Sequence, residues 1–248
     1  MDAADTRRGA PCVHQQWDQS TAILAGDALL VRVYPQVVQA APERAVQLVE
    51  VLSEAALLVC AGQMLDLELE RAPQQAYEPA KYLEMIRLKT AVLIGAALQV
   101  GALGGGAQDE EALRWRRYGE ALGLAFQLQD DYLDLYAPES PDQAGGFGKT
   151  RGGDILQDKL TLLWLHAWQN ANQEQRQILL HWRGKEGPKA DKLAAVEGVF
   201  QATDVQAAMQ QRISELYAQA EAELEPLAQK PGVELVRALA EQISGRVR

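Results

Sequence analysis

Three acids, Asp130, Asp131 and Asp134, stand inside an otherwise apolar helical stretch, FQLQDDYLDLY. Leu122, Leu124, Ala125, Phe126 and Leu128 precede them, and Tyr132, Leu133, Leu135 and Tyr136 follow. With about 3.6 residues per turn, Asp130 and Asp134 share one face, with Asp131 on its shoulder. Like charges at this spacing cost a helix about 0.2–0.5 kcal/mol per pair, and burial costs far more unless a cation lies between them. An all-oxygen cluster without His or Cys suits a hard ion such as Mg²⁺, which commonly bridges one or two carboxylates to substrate phosphates. Matching cations follow: Lys149 and Arg151 in the Gly-rich turn GKTRGGD, then Lys159. A solvated acidic helix face is the plain alternative, and the close apolar flanks argue against it.

The elements that must position these residues read as helices. A small, apolar run from about Ser20 to Val38 contains Pro35, a kink or break. A second helix begins after Ala41-Pro42-Glu43 and extends to about Arg71, carrying GQMLD with Asp66 in its C-terminal half. Asp66 reads equally well as the polar end of that helix. Glu78-Pro79 opens a third helix that ends in Gly104-Gly105-Gly106, with Lys89 where the charged start gives way to uncharged sequence. A lysine at such a border ordinarily snorkels to water. The fourth helix starts at Asp109-Glu110 and leads into the acids. After the loop APESPDQAGGFGKTRGG, the sequence DILQDKLTLLWLHAWQNA resumes helix, with Asp154 either capping it or joining the metal site. From about Asn172 the chain reads as amphipathic helices without a legible motif, and no strand is expected.

Composition bounds the function classes. A net charge of −10 and hydrophobic content of 48% suit a large helical core and argue against general affinity for nucleic acid. Arg114-Trp115-Arg116-Arg117-Tyr118 accordingly reads as a surface face. Cys12 and Cys60 give neither a disulfide framework nor a metal spacing, which fits a reducing cytoplasm. Thr90 to Ala107 is uncharged but short for a bilayer crossing and holds Gln99 among its glycines, so it reads as a buried core helix rather than a membrane span. His166, between Trp164 and Trp168, reads as packed rather than catalytic.

DDYLD, with FQLQ before it and GKTRGGDILQDKLT after it, closely resembles the second aspartate-rich region of the trans-isoprenyl diphosphate synthases, the short-chain polyprenyl synthetases. MDAADTRRGAPCVH with TAILAGDALL, then GQMLD, then LKTA, fit the same family in the same order. The resemblance covers most of residues 1–161 and implies one all-α domain over 1–248, an isoprenoid synthase bundle of long helices around an apolar cavity, usually a homodimer. It implies a prenyltransferase that joins isopentenyl diphosphate to an allylic prenyl diphosphate with Mg²⁺. By resemblance Asp130, Asp131 and Asp134 belong to the metal site, with Asp2 matching the last acid of the family's first aspartate-rich motif. Arg7, Lys89, Lys149 and Lys159 would bind the allylic diphosphate and Arg8 the isopentenyl diphosphate. Thr90 and Gln127 would line the reacting end, and Asp66 and Asp154 would support the cationic cluster.

The resemblance also implies two further acids directly before the position of Asp2, and helices ahead of them, which the 248 residues do not contain. Ala10 stands where the family usually has Lys or Arg, and the loop after DDYLD is longer than the family leads one to expect. Three readings therefore stay open on the sequence: a shortened form of an ordinary prenyltransferase, a non-catalytic Mg²⁺- and diphosphate-binding partner subunit, and a class I terpene synthase-like enzyme. Arg7-Arg8 and GKTRGGD favour the synthases over the cyclases.

Overall fold

The computed structural model describes residues 5–7, 9–71, 78–137, 151–185, 187–230 and 232–244. Asp2, Arg8 and Lys149 lie outside the described residues. The N-terminal segment makes a two-residue antiparallel ladder of β1 (Thr6–Arg7) and β2 (Ala10–Pro11), with Gly9 at a φ of 77° in the turn. A short α1 (Val13–Gln16) leads into α2 (Gln19–Ala40), whose start is capped by the Asp18 carboxylate accepting from the Thr21 amide at 2.7 Å. Pro35 does not break α2; the helix runs through it.

A 3-10 turn at Pro42–Arg44 starts the next element, and α3 (Ala45–Glu70) follows. The third helix was expected to be continuous. It is instead α4 (Pro79–Ile86), a π-helical turn at Arg87–Ala91, and α5 (Val92–Gly104). The long α6 (Asp109–Tyr136) has Asp109, Glu110 and Glu111 in its first turn, where they complement the helix dipole. The helix expected after the Gly-rich loop is divided into α7 (Gly153–Leu156) and α8 (Leu162–Asn170). The break is at Asp158, which adopts a φ of 59° and accepts on its carboxylate from the buried Lys192 ammonium at 2.7 Å. Asp tolerates this left-handed conformation better than most residues, and the ion pair holds it there.

The remaining elements are α9 (Gln173–Trp182), opened by an Asn172–Gln175 capping box, α10 (Lys189–Ala202), α11 (Val205–Leu224) with a 3-10 turn at Glu225–Leu227, and α12 (Val233–Ser244). The described residues are thus all-α apart from the one short ladder.

Helix α6 runs through all three apolar clusters. Ala112 joins α3 and α5; Trp115, Tyr118 and Leu122 join α11 and the chain that follows it; Ala125, Leu128, Tyr132 and Leu135 join α4, α8 and α10. Glycine lets α5 and α6 approach to backbone contact, since a Cβ on Gly119 would stand 2.7 Å from the Gly95 Cα. The uncharged run after Thr90 is largely core, with Val92, Ala96, Gln99 and Leu103 buried. The basic-aromatic segment is not wholly a surface face. Trp115 and Tyr118 are buried, while Arg114, Arg116 and Arg117 pair with Glu223, Glu54, Glu120 and Glu110. His166 packs against α10's end, its Nε2 lying 3.2 Å from the Thr203 carbonyl.

Three helical stretches, Gln19–Ala40, Pro42–Glu70 and Pro79–Gly104, are long and apolar enough by length and composition to cross a membrane. Helix α2 differs from the others in burying no residue; Ile23, Leu24, Leu29, Leu30 and Val31 are all exposed.

Candidate active site

The acids occupy the last two turns of α6, and the basic and polar residues come from the two helical layers packed on it. The Lys89 ammonium donates to Asp66 Oδ2 at 2.6 Å, joining the π turn to α3. Gln63, one turn earlier, donates to the same oxygen at 3.3 Å. The lysine at the helix border therefore does not simply snorkel; both members of the pair are partly shielded, with side-chain exposures of 32% and 20%.

The π turn carries Lys89 and Thr90 side by side, and two glycines admit its backbone between α3 and α6. A Cβ on Gly62 would stand 2.3 Å from the Lys89 amide nitrogen, and one on Gly123 would stand 2.6 Å from the Ala91 Cα. A π turn widens the helix by one residue and rotates the side chains that follow, a distortion found frequently at functional sites.

The three acids are not equivalent. Asp131 is buried, at 6% exposure, and both of its oxygens are engaged from within the protein. The Tyr82 hydroxyl donates to Oδ2 and the Gln127 amide donates to Oδ1 at 3.1 Å. Gln127 Oε1 in turn accepts from the Thr90 hydroxyl at 3.4 Å. Burial pushes the Asp131 carboxyl up to about 7; the Asp154 and Asp130 charges add to the rise, and the bonds from Tyr82 and Gln127 oppose it. Burial also pushes the Tyr82 phenol well above its ordinary range, with Asp131, Asp154 and Asp66 adding to it. Carboxylates thus crowd a poorly solvated space.

Asp130 and Asp134, half-buried, form the pair one turn apart. Asp134 also anchors the segment that follows the Gly-rich loop: its carboxylate accepts from the Asp154 amide at 3.0 Å, and its carbonyl accepts from the Gly152 amide at 2.8 Å. Gly152, at a φ of 69°, makes this return possible. The Asp154 carboxylate accepts from the Lys159 ammonium at 2.9 Å, so Lys159 is brought to the cluster with Asp154 as its partner. Arg151 donates to the Leu135 carbonyl and pairs with Glu197.

Of the expected residues, Lys89, Thr90, Asp66, Gln127, Asp130, Asp131, Asp134, Asp154 and Lys159 therefore gather around the C-terminal half of α6. Arg7 contributes the backbone of β1, remote in sequence from this cluster. Among the described residues no three acids converge into a metal cage. What α6 presents is a pair of carboxylates, and an ion that takes most of its ligands from water and phosphate needs only one or two from the protein. In donor chemistry the residues present fit Mg²⁺.

Sequence reasoning missed Tyr82 and the π turn. Tyr82 lies on the same helical strand of chain as Lys89 and reads as an ordinary core aromatic. The small residue at Gly62, beside the polar Gln63 and Asp66, was a visible hint of close approach by another element.

Comparison with known proteins bears on the family and the fold. The family described as Polyprenyl synthetase matches residues 1–199. The chain is 40% identical over 171 residues to a geranylgeranyl diphosphate synthase of Methanosarcina mazei, an alignment covering 68% of this chain and 51% of that protein. The fold matches a crystal structure of a geranylgeranyl pyrophosphate synthase with a TM-score of 0.87 at 35% identity, over 100% of this chain and 75% of that one. It also matches the geranylgeranyl pyrophosphate synthase of Corynebacterium glutamicum complexed with isoprenyl diphosphate and magnesium, with a TM-score of 0.81 at 29% identity, over 99% and 73% of the two chains. The chain spans about half the length of these curated relatives. With the helical order, the paired acids of α6 and the family match over most of its length all in agreement, the chain belongs to the polyprenyl synthetase family.

Proposed function

We propose that this chain is a prenyltransferase which joins isopentenyl diphosphate to an allylic prenyl diphosphate, giving a short-chain polyprenyl diphosphate. The observation that carries the reading is the convergence of the Asp130–Asp134 pair with the Lys89–Asp66 ion pair and the Thr90–Gln127 hydrogen bond on one side of α6. In this reading Asp130 and Asp134 hold Mg²⁺, with Asp131 beside them and Asp2 contributing from the N-terminal motif. Mg²⁺, when bound, supplies positive charge to the diphosphate as it leaves.

The chain's own residues do the rest. Lys89, with Arg7, Lys149 and Lys159, binds the allylic diphosphate and offsets the charge that builds up as its C–O bond breaks. Asp66 fixes the direction of the Lys89 ammonium, and Asp154 does the same for Lys159. Thr90 and Gln127 direct oxygen lone pairs toward the allylic end, and the apolar walls of α5 and α6 exclude water from the electron-poor carbon. Arg8 holds isopentenyl diphosphate, whose double bond attacks that carbon to form the new C–C bond. The released diphosphate is the nearest base for the proton then lost.

The same reading takes 1–248 as one domain, without a membrane span or a nucleic-acid surface, acting in the cytoplasm as a homodimer. The exposed apolar face of α2 supports association with a second copy. A second reading is a subunit that binds Mg²⁺ and diphosphate but does not condense, which Ala10, standing where the family usually has Lys or Arg, favours. The test supplies the purified 248-residue protein with Mg²⁺, isopentenyl diphosphate and each allylic starter in turn. A longer prenyl diphosphate supports the first reading. No product, together with a Mg²⁺-dependent thermal shift on adding diphosphate, supports the second.

A further inference from the structure

The middle acid of the α6 cluster faces inward, and this has a consequence for Gln127. With Asp131 ionised and its Oδ2 accepting from the Tyr82 hydroxyl, Oδ1 can only accept, so the part of the Gln127 amide facing it at 3.1 Å is the NH₂ group. The amide oxygen is thereby turned the other way, toward the Thr90 hydroxyl. Asp131 can impose this only while its own plane is fixed. The Tyr82 hydroxyl does that from the opposite side, donating to Oδ2 from a ring that is itself buried at 3% exposure. Tyr82 stands on α4, two helical turns before Lys89, and Asp131 and Gln127 on α6, so the run Tyr82–Asp131–Gln127–Thr90 crosses between the two helices and returns to the π turn.

We propose that Tyr82 and Asp131 are positioning residues that set the polarity of the Gln127 amide, presenting its oxygen, rather than its NH₂ group, to the reacting end of the site. This rests on the prenyltransferase reading for its catalytic meaning, but not for its geometry. A carbonyl dipole aimed at a carbon that becomes electron-poor stabilises the transition state more than the ground state, whereas an NH₂ group in its place would oppose the charge. Asp131 is accordingly assigned to hold Gln127 rather than to ligate the metal alongside Asp130 and Asp134.

The test uses the whole chain and two variants. Tyr82→Phe removes only the hydroxyl. Its expected effect on catalysis is a fall in kcat of about 10- to 100-fold with KM for both diphosphates within about threefold, the pattern of an interaction made in the transition state. In a Gln127→Ala background the same substitution should cost nothing further, because Tyr82 acts through that amide. Independently of activity, the Gln127 side-chain NH₂ signal, identified by its absence from the ¹⁵N spectrum of Gln127→Ala, should be shifted and lose its protection from hydrogen exchange in Tyr82→Phe. Asp131→Asn, which perturbs the same NH₂ group directly, should move the same signal, and serves if Tyr82→Phe does not fold. An unmoved signal in the folded variants, or fully additive losses in the double variant, would overturn the proposal. A wild-type chain without condensation activity but with the Gln127 signal responding as described would count against the prenyltransferase reading alone.

Discussion

Gly62 in α3 lies directly beneath the backbone of Lys89: a Cβ there would stand 2.3 Å from the lysine's amide nitrogen and 2.7 Å from the carbonyl carbon of Leu88. The obstacle is backbone inside a π turn, so it cannot move aside as a flexible side chain would. Gly62→Ala is expected to force α3 and the π turn apart, costing about 1–3 kcal/mol in stability and displacing Lys89 from Asp66. Thermal unfolding and Mg²⁺-dependent diphosphate binding should both fall. Gly26→Ala is the matched control, since a Cβ on that exposed α2 residue meets nothing within 4 Å. It should be neutral, or stabilising by up to about 1 kcal/mol through helix propensity.

Tyr118 gives the stability a dependence on alkaline pH. Among the described residues its hydroxyl is buried without a hydrogen-bond partner, and burial pushes the phenol from the ordinary value of 10.0 up to about 12. Between those values the folded chain holds a proton that the unfolded chain has lost. Stability therefore falls as pH rises through this window, and below it Tyr118 adds no pH dependence. Tyr118→Phe should make that alkaline limb shallower in thermal melts and raise stability at neutral pH by about 1 kcal/mol, since it removes an unsatisfied buried group. An alkaline limb identical in both proteins would show that Tyr118 is not its source.

Helix α2 exposes Ile23, Leu24, Leu29 and Val31 at 64–67% on a surface that no other described element covers. The purified 248-residue chain is expected to bury this face by self-association, as a dimer or as larger aggregates. Sedimentation velocity across a range of concentrations checks this, with Leu24→Lys and Val31→Glu together predicted to shift the protein toward monomer. Monodisperse monomer at high concentration in the unsubstituted chain would contradict it.

Much of the bundle was legible because its signals are local. Pro42 and Pro79 mark helix starts, Gly104-Gly105-Gly106 marks an end, and the spacing of Asp130 and Asp134 places them on one face of α6. What was not legible depends on partners distant in the chain. Nothing in RLKTA announces a π turn, whose neighbours include Gly62 and Gly123 on two other helices. The helix break at Asp158 depends on Lys192, 34 residues away. Periodicity put Asp131 on the shoulder of its face but could not say that Tyr82, on α4, would draw it inward. Asp2, Arg8 and Lys149 fall outside the described residues, so their place in the site rests on the family resemblance alone.

The central claim is that Asp130 and Asp134 grip a divalent ion that in turn grips a diphosphate. Isothermal titration of inorganic diphosphate into the 248-residue chain, with and without Mg²⁺, tests it directly when repeated on Asp130→Ala. Binding should require Mg²⁺ in the unsubstituted chain and be abolished in Asp130→Ala, while Lys89→Ala weakens it less severely. Mg²⁺-dependent binding of equal strength in Asp130→Ala would contradict the assignment of the site.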